Sequence, residues 1–174
     1  MRKMLNLTMT AAIGSLSLSG CSTLLTDPNG STRRTELTPR IAQAYVAMAA
    51  SSDLFEVQTS QLALQRSQVP MTRMHADMMI RDHTNTSAQL AIGARSAGIG
   101  VPLAMLPMHQ AMLDQLSRSS NFDATYKQQQ VVSHQQALAL HSNYAARGDV
   151  PVLRGVAANA VPVVRGHLEH GQKM

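Results

Sequence analysis

Cysteine occurs once in this chain of 174 residues, tryptophan not at all, phenylalanine twice and tyrosine three times. A lone cysteine excludes an intramolecular disulfide. So few rings leave space that aliphatic side chains and the 12 methionines must fill. Leu5 to Leu18 is only mildly apolar and too short to cross a bilayer. No segment alternates apolar and polar residues between turn signals, which argues against a sheet. No G-x-S-x-G, P-loop, G-x-G-x-x-G or H-E-x-x-H motif is present, so the common hydrolase, nucleotide-binding and zinc-protease chemistries have no footing. Beyond residue 20 the basic residues are scattered, with Arg33-Arg34 the only adjacent pair, and no nucleic-acid partner is expected.

Residues 1–20 read as an export signal, with Arg2 and Lys3 as the positive n-region and small residues after Leu18. Leu18-Ser19-Gly20-Cys21 resembles the lipobox of bacterial lipoproteins, which implies cleavage before Cys21 and acylation of that residue. The absence of aspartate after Cys21 resembles the pattern for outer-membrane sorting. The expectation is a protein of the cell envelope, lipid-anchored in the outer membrane and facing the periplasm, with the membrane as partner and no protein partner named. Loss of Arg2 and Lys3, and of no acid, lowers the formal net charge from +5 to +3. Residues 21–38 carry one apolar pair, Leu24-Leu25, and the turn sequence Asp27-Pro28-Asn29-Gly30-Ser31. They read as a flexible tether spanning about 20–25 Å.

Residues 39–174 read as one all-α domain. Thr38-Pro39 is a helix start, with threonine as the cap. Ile41, Tyr45, Met48, Ser52, Phe55, Thr59 and Leu62 then keep helical spacing, with Glu56 at the stripe's edge. After Pro70, Met71, Met74, Met78, the Asp82-His83 pair, Leu90 and Ile92 suggest a second inward stripe ending at Gly98. Pro107 opens a short helix through Leu116. Asn121 caps a third long helix whose stripe is Phe122, Tyr126, Val131, His134, Leu138, His141 and Ala145, with Gly148 as its left-handed terminator. Asp149 caps a fourth, in which Val152, Val156, Ala160, Val163 and His167 face inward and Pro162 introduces a kink. The pattern predicts an antiparallel four-helix bundle with one short extra helix.

Asp82-His83 with Leu90 downstream, Phe122-Asp123-x-x-Tyr126 leading to His134, and His167-Leu168-Glu169 together resemble a bacterial envelope family labelled "predicted outer membrane protein". It is a domain of unknown function placed among the ferritin-like bundles. The resemblance covers roughly residues 40–171 and implies a ferritin-like bundle in the periplasm, with little about activity.

Di-iron chemistry in such a bundle needs Glu-x-x-His on two helices. Ile80 stands three residues before His83 and Val164 three before His167, so neither motif exists. What remains is Glu56, His83, His134 and His167, one inward residue per long helix. Three imidazoles and a carboxylate could hold a single Cu, Zn or Fe ion by coordination without turnover. Asp82, Asp123 and Tyr126 are the polar residues expected around them. The alternative is a non-catalytic envelope module that binds a partner, its buried histidines fixing helix register. A second pattern, M-x-x-M-H-x-x-M, occurs twice, as Met71, Met74, His75, Met78 and as Met105, Met108, His109, Met112. Thioethers and imidazole suit soft Cu(I) or Ag(I), and the same spacing also suits core packing.

Overall fold

The computed structural model describes residues 41–174, which form five helices and, among the described residues, no strand. Helix α1 runs over Ala42–Arg66, α2 over Pro70–Ser96, α3 over Pro107–Arg118, α4 over Phe122–Arg147 and α5 over Pro151–Lys173. The signal segment, Cys21, the tether and the Thr38-Pro39 start lie outside the described residues.

Proline opens α2, α3 and α5, where its missing N–H leaves nothing unsatisfied and its fixed φ suits the first turn. Each helix carries a basic residue in its last turn, against the negative end of the helix dipole. Helix α2 stops where expected. Gly98 has φ 70°, its N–H donates to the Arg95 carbonyl and the Ile99 N–H to the Ala94 carbonyl. Those paired bonds close the helix end and need a residue that tolerates the left-handed region.

Other expected boundaries differ in chemistry. Asn121 sits at the start of α4 without a side-chain capping bond. Gly148 ends α4 at φ −62°, extended and not left-handed, because Asp149 accepts the Tyr144 hydroxyl at 2.8 Å and holds the turn. Asp149 is therefore a latch on α4, and Val150 takes the N-cap position of α5. Helix α5 continues through Pro162.

Helix α1 packs on α2 and α4, and α5 packs on the same two, while α3 lies against α1 and α4. The interior has an apolar cluster on each side of a polar layer. One cluster gathers Tyr45, Ala49, Leu90, Ala94, Leu140, Tyr144 and Leu153. Its centre is the Tyr45–Tyr144 stack, with ring centroids 3.9 Å apart. The other gathers Ala63, Ala76, Leu116, Phe122 and Tyr126. Along α1, α2 and α4 the residues between these clusters are polar and still buried, including Ser52, Asp53, Glu56, Thr59, His83, Gln130, Ser133 and His134. Burying so many polar groups is costly unless each has a partner.

The methionine stripe of α2 is displaced from the expected face. Met71 and Met74 are 44% and 57% exposed, and Ile92 is 68% exposed. Thr72, His75, Ala76, Met79, His83, Leu90, Gly93 and Ala94 are the residues that face inward. In α5 Ala160 and His167 are buried as expected, while Leu153, Ala157 and Val164 take the inward places expected of Val152, Val156 and Val163, and Val152 is 44% exposed. Ile41 is also outside the core, at 62% exposed.

Candidate metal centre

Three imidazoles meet in the polar layer. His83 on α2, His134 on α4 and His167 on α5 are all buried, and one nitrogen of each lies within 4.8 Å of the others. Ring centroids are 5.5 Å apart for His83–His134, 5.1 Å for His83–His167 and 5.4 Å for His134–His167.

Each ring has one nitrogen committed to an acceptor. His83 Nδ1 lies 2.8 Å from Asp53 Oδ1, His134 Nδ1 2.7 Å from the Gln130 carbonyl, and His167 Nε2 3.0 Å from Asp82 Oδ2. Carboxylates and carbonyls only accept, so those nitrogens carry the protons. The lone pairs are therefore on His83 Nε2, His134 Nε2 and His167 Nδ1. The first two are 3.4 Å apart, and the third is buried without a hydrogen-bond partner. Two lone pairs facing at that distance repel unless a proton or a cation lies between them. Two nitrogens bound tetrahedrally to one ion about 2.0–2.1 Å away would be separated by about 3.4 Å. The spacing fits a shared ion, and the outer acceptors are of the kind that orient imidazole ligands on metals.

Glu56 lies beside this group, on the Nδ1 side of His134 and outside the three nitrogens that converge. It is buried, Oε1 accepts the Ser133 hydroxyl at 2.5 Å and lies 3.6 Å from His134 Nδ1, and Oε2 has no hydrogen-bond partner. Burial raises its pKa, against the lowering pull of His83, Ser133, Gln130 and His167. At His83 burial pulls the pKa down, but the Asp53 hydrogen bond and charge, with Glu56 and Asp82, outweigh it and leave the ring above its ordinary value. The neighbours go the other way. Burial, and then the charge on His83, takes His134 down to about 3 and His167 to about 4. Positive charge in the layer is thus favoured on His83 and disfavoured on His134 and His167.

The structure brings Glu56, His83, His134 and His167 into one layer. Asp82 belongs to it through His167 on α5, and not through its neighbour His83. Asp123 and Tyr126 lie elsewhere: Asp123 accepts the Ser67 hydroxyl at 2.5 Å, and Tyr126 is bonded to Ser60 at 2.8 Å. Sequence reasoning missed Asp53, which also accepts Thr86 at 3.1 Å and Ser87 at 3.0 Å, and the Gln130 carbonyl. Asp53 and Glu56 are the only charged residues in α1 before Arg66, and they share a face at i,i+3. That isolation was the available signal.

In both M-x-x-M-H-x-x-M segments the histidine is buried and the methionines lie outward. His75 Nε2 donates to Gln130 Oε1 at 3.1 Å, and burial takes its pKa down to about 3. His109 Nδ1 accepts the Ser51 hydroxyl at 2.6 Å, while that same oxygen accepts the Leu106 N–H at 2.7 Å. Met108 is 43% exposed, and Met105 and Met112 are half-buried.

A family model described as a domain of unknown function, DUF4142, matches residues 27–174. The chain belongs to that family. Among solved structures, the DUF4142 chain resembles "CopM in the Cu(II)-bound form", with a TM-score of 0.65 and 20% identity over 76% of this chain and 94% of that one. It also resembles "CopM in the Ag-bound form (by co-crystallization)", with a TM-score of 0.63 and 19% identity over 76% and 93%. For "CopM in the Cu(I)-bound form" the TM-score is 0.63 and the identity 16%, over 76% and 94%. At these identities the likeness is one of fold. No curated protein matches the sequence. Among the described residues, no helix is long and apolar enough to cross a membrane.

Proposed function

We propose that this DUF4142 domain is a metal-holding module of the cell envelope, which binds one copper, zinc or iron ion between His83, His134 and His167 with Glu56 as a fourth ligand. The observation that carries the reading is the set of three buried imidazoles, each with its proton committed outward and its lone pair left in the layer. Buried, water-excluded ligands on rigid helices suit retention of an ion and not turnover. Copper is favoured among the three, since CopM has the same fold in its copper- and silver-bound forms. The four long helices are read as an antiparallel bundle of ferritin-like type with α3 as the extra helix, which the short links and the order of the buried layers along each helix support. In this reading acylated Cys21 and the tether of residues 21–38 hold the domain at the outer membrane, facing the periplasm.

The test is to melt chelated protein, then protein with Cu(II), Zn(II) or Fe(II) added. An ion held only by the native state at a hundredfold excess over Kd adds about 2.7 kcal/mol, a rise of roughly 5–10 °C for a domain this size. His134→Gln and His167→Gln should lose most of that rise while remaining helical by circular dichroism. A wild-type melt unmoved by every metal would leave the histidines as register-fixing groups, and the partner-binding alternative would replace this reading.

A further inference from the structure

The buried layer is closed to solvent, and the line of imidazoles leading out of it ends among exposed thioethers. His170 on α5 is half-buried and stacks on His75, with ring centroids 5.0 Å apart and planes 13° apart. The His75 ring in turn lies 6.3 Å from that of His134. The bonding assigns the protons along this line. Gln130 Nε2 donates to Thr59 Oγ1 at 3.3 Å, so its Oε1 is the acceptor for His75 Nε2–H. His75 Nδ1 is then an acceptor, and the 2.9 Å contact with His170 Nδ1 requires His170 to donate there. His170 is left with its lone pair on Nε2, a nitrogen with no hydrogen-bond partner among the described residues.

His170 lines an open cleft with Met74, Asp77 and Met78 of α2, flanked by Arg73 and Arg81. Met74 and Met78 are one helical turn apart, so their side chains lie on the same side of α2. Met74 is 57% exposed, whereas Met79, next in sequence to Met78, is fully buried. The nearby cations are occupied elsewhere. Arg73 donates to the Leu64 and Ser67 carbonyls at 2.6 and 3.1 Å, and Arg81 to Asp82 at 2.8 Å. Two thioethers, an imidazole nitrogen and an adjacent carboxylate suit a soft monovalent ion. The second methionine-histidine segment lacks this arrangement, because the His109 lone pair is already taken by Ser51.

We propose that Met74, Met78 and His170 form a surface site for a soft monovalent ion, Cu(I) or Ag(I), distinct from the buried centre. His75 stands directly behind this site, with its lone pair turned toward His170 and its ring toward His134. The step inward, from the surface site by way of His75, rests on the buried centre holding metal. The surface site does not.

The probe is Ag(I) as a chloride-free salt, added to the full chain labelled with carbon-13 at the methionine methyls. The expected result is that equimolar Ag(I) shifts the Met74 and Met78 methyl signals and the His170 ring signals, with Met79 unmoved. Met74→Leu with Met78→Leu, at exposed or half-buried positions, should keep the fold and weaken Ag(I) binding by more than the roughly 10–100-fold typical of losing an outer partner. Silver that leaves both methyls unshifted, or binds wild type and double variant equally, would overturn the site. Failure of the buried centre gives a different pattern, in which the methyls shift but His134→Gln changes no metal affinity. That pattern would retain the surface site and remove the step inward.

Discussion

Replacing Asp53 by asparagine changes charge and almost nothing else. The carboxylate of Asp53 accepts three hydrogen bonds, from His83 Nδ1, Thr86 and Ser87. An amide oxygen can still accept from His83 and Thr86, and Ser87 can turn its hydroxyl to accept from the amide nitrogen, so shape and packing persist. The loss is the charge that holds the His83 proton outward and its pKa above the ordinary value. A hydrogen bond to a charged partner contributes about 1.5–3 kcal/mol, and that sets the scale for the metal-free protein. A base with a raised native pKa stabilises fully below its unfolded pKa near 6.5, and the effect fades as pH rises through the native value. Asp53→Asn should therefore destabilise the metal-free domain most below about pH 6.5 and least at alkaline pH. In the metal-bound state the loss of an outer carboxylate should weaken affinity about 10–100-fold, or about 1.4–2.7 kcal/mol. Denaturant melts from pH 5 to 9 with chelator, and competition titrations with a chelating dye, read the two effects separately. Equal affinity in wild type and Asp53→Asn, together with parallel stability profiles, would refute the assignment of Asp53 as the group that orients His83.

Burial takes the His141 pKa down to about 4, so the unfolded chain binds a proton between about pH 6.5 and 4 that the native chain does not, and stability falls on acidification. At pH 5 this amounts to about 2 kcal/mol, and His141→Gln, which can still accept the Tyr45 hydroxyl, should show an acid loss smaller by that amount in urea melts at pH 5 and 7.5. A Cβ at Gly93 would lie 2.7 Å from Val156 Cγ2, whereas one at Gly155 meets nothing within 4 Å. Overpacking against a stiff β-branched side chain costs about 1–3 kcal/mol and helix propensity returns up to about 1 kcal/mol, so Gly93→Ala should lower the thermal midpoint and Gly155→Ala raise it. Cys21→Ala should move the protein from the membrane to the soluble fraction of fractionated cells, and equal retention would remove lipid anchoring from the proposed function.

Helices were legible in this sequence because their punctuation is local. Pro70, Pro107 and Pro151 open helices where expected, and Gly98 closes one, since each acts through its own backbone conformation. The inward faces of α1 and α4 were also legible, because Tyr45, Phe55, Phe122 and Tyr126 are large and apolar and belong to the core. On α2 the same rule placed His83 and Leu90 correctly but chose the wrong methionines. Most of the core face there is threonine, alanine and histidine with Met79 as its methionine, while Met71 and Met74 are outside, so apolar size pointed partly to solvent. His83, His134 and His167 could be proposed as a group because each lies on a different long helix. Asp53 could not, because an aspartate inside a helix ordinarily belongs to the solvated face. Its burial depends on tertiary partners from α2 that no local pattern encodes.

A purely structural polar layer has to account for where its bonds are missing. Most groups around the centre are paired, and the two unpartnered buried atoms within it are His167 Nδ1 and Glu56 Oε2. Each such atom costs about 1–3 kcal/mol against a hydrated unfolded chain. Apolar residues of similar volume would remove both penalties, and replacing buried charges in this way is often neutral or stabilising. Register alone could be fixed by the Tyr45–His141 and Ser60–Tyr126 bonds, which leave no orphan among the groups they join. The unpaired atoms are instead an imidazole nitrogen and a carboxyl oxygen, beside two further imidazole nitrogens 3.4 Å apart. A cation would stabilise every one of these groups, and no hydrogen bond is given to His167 Nδ1 or Glu56 Oε2 among the described residues. On the proposed reading, the cost of keeping them in the metal-free fold would be recovered on binding an ion, which would couple the polar layer to metal in a way that register-fixing hydrogen bonds are not.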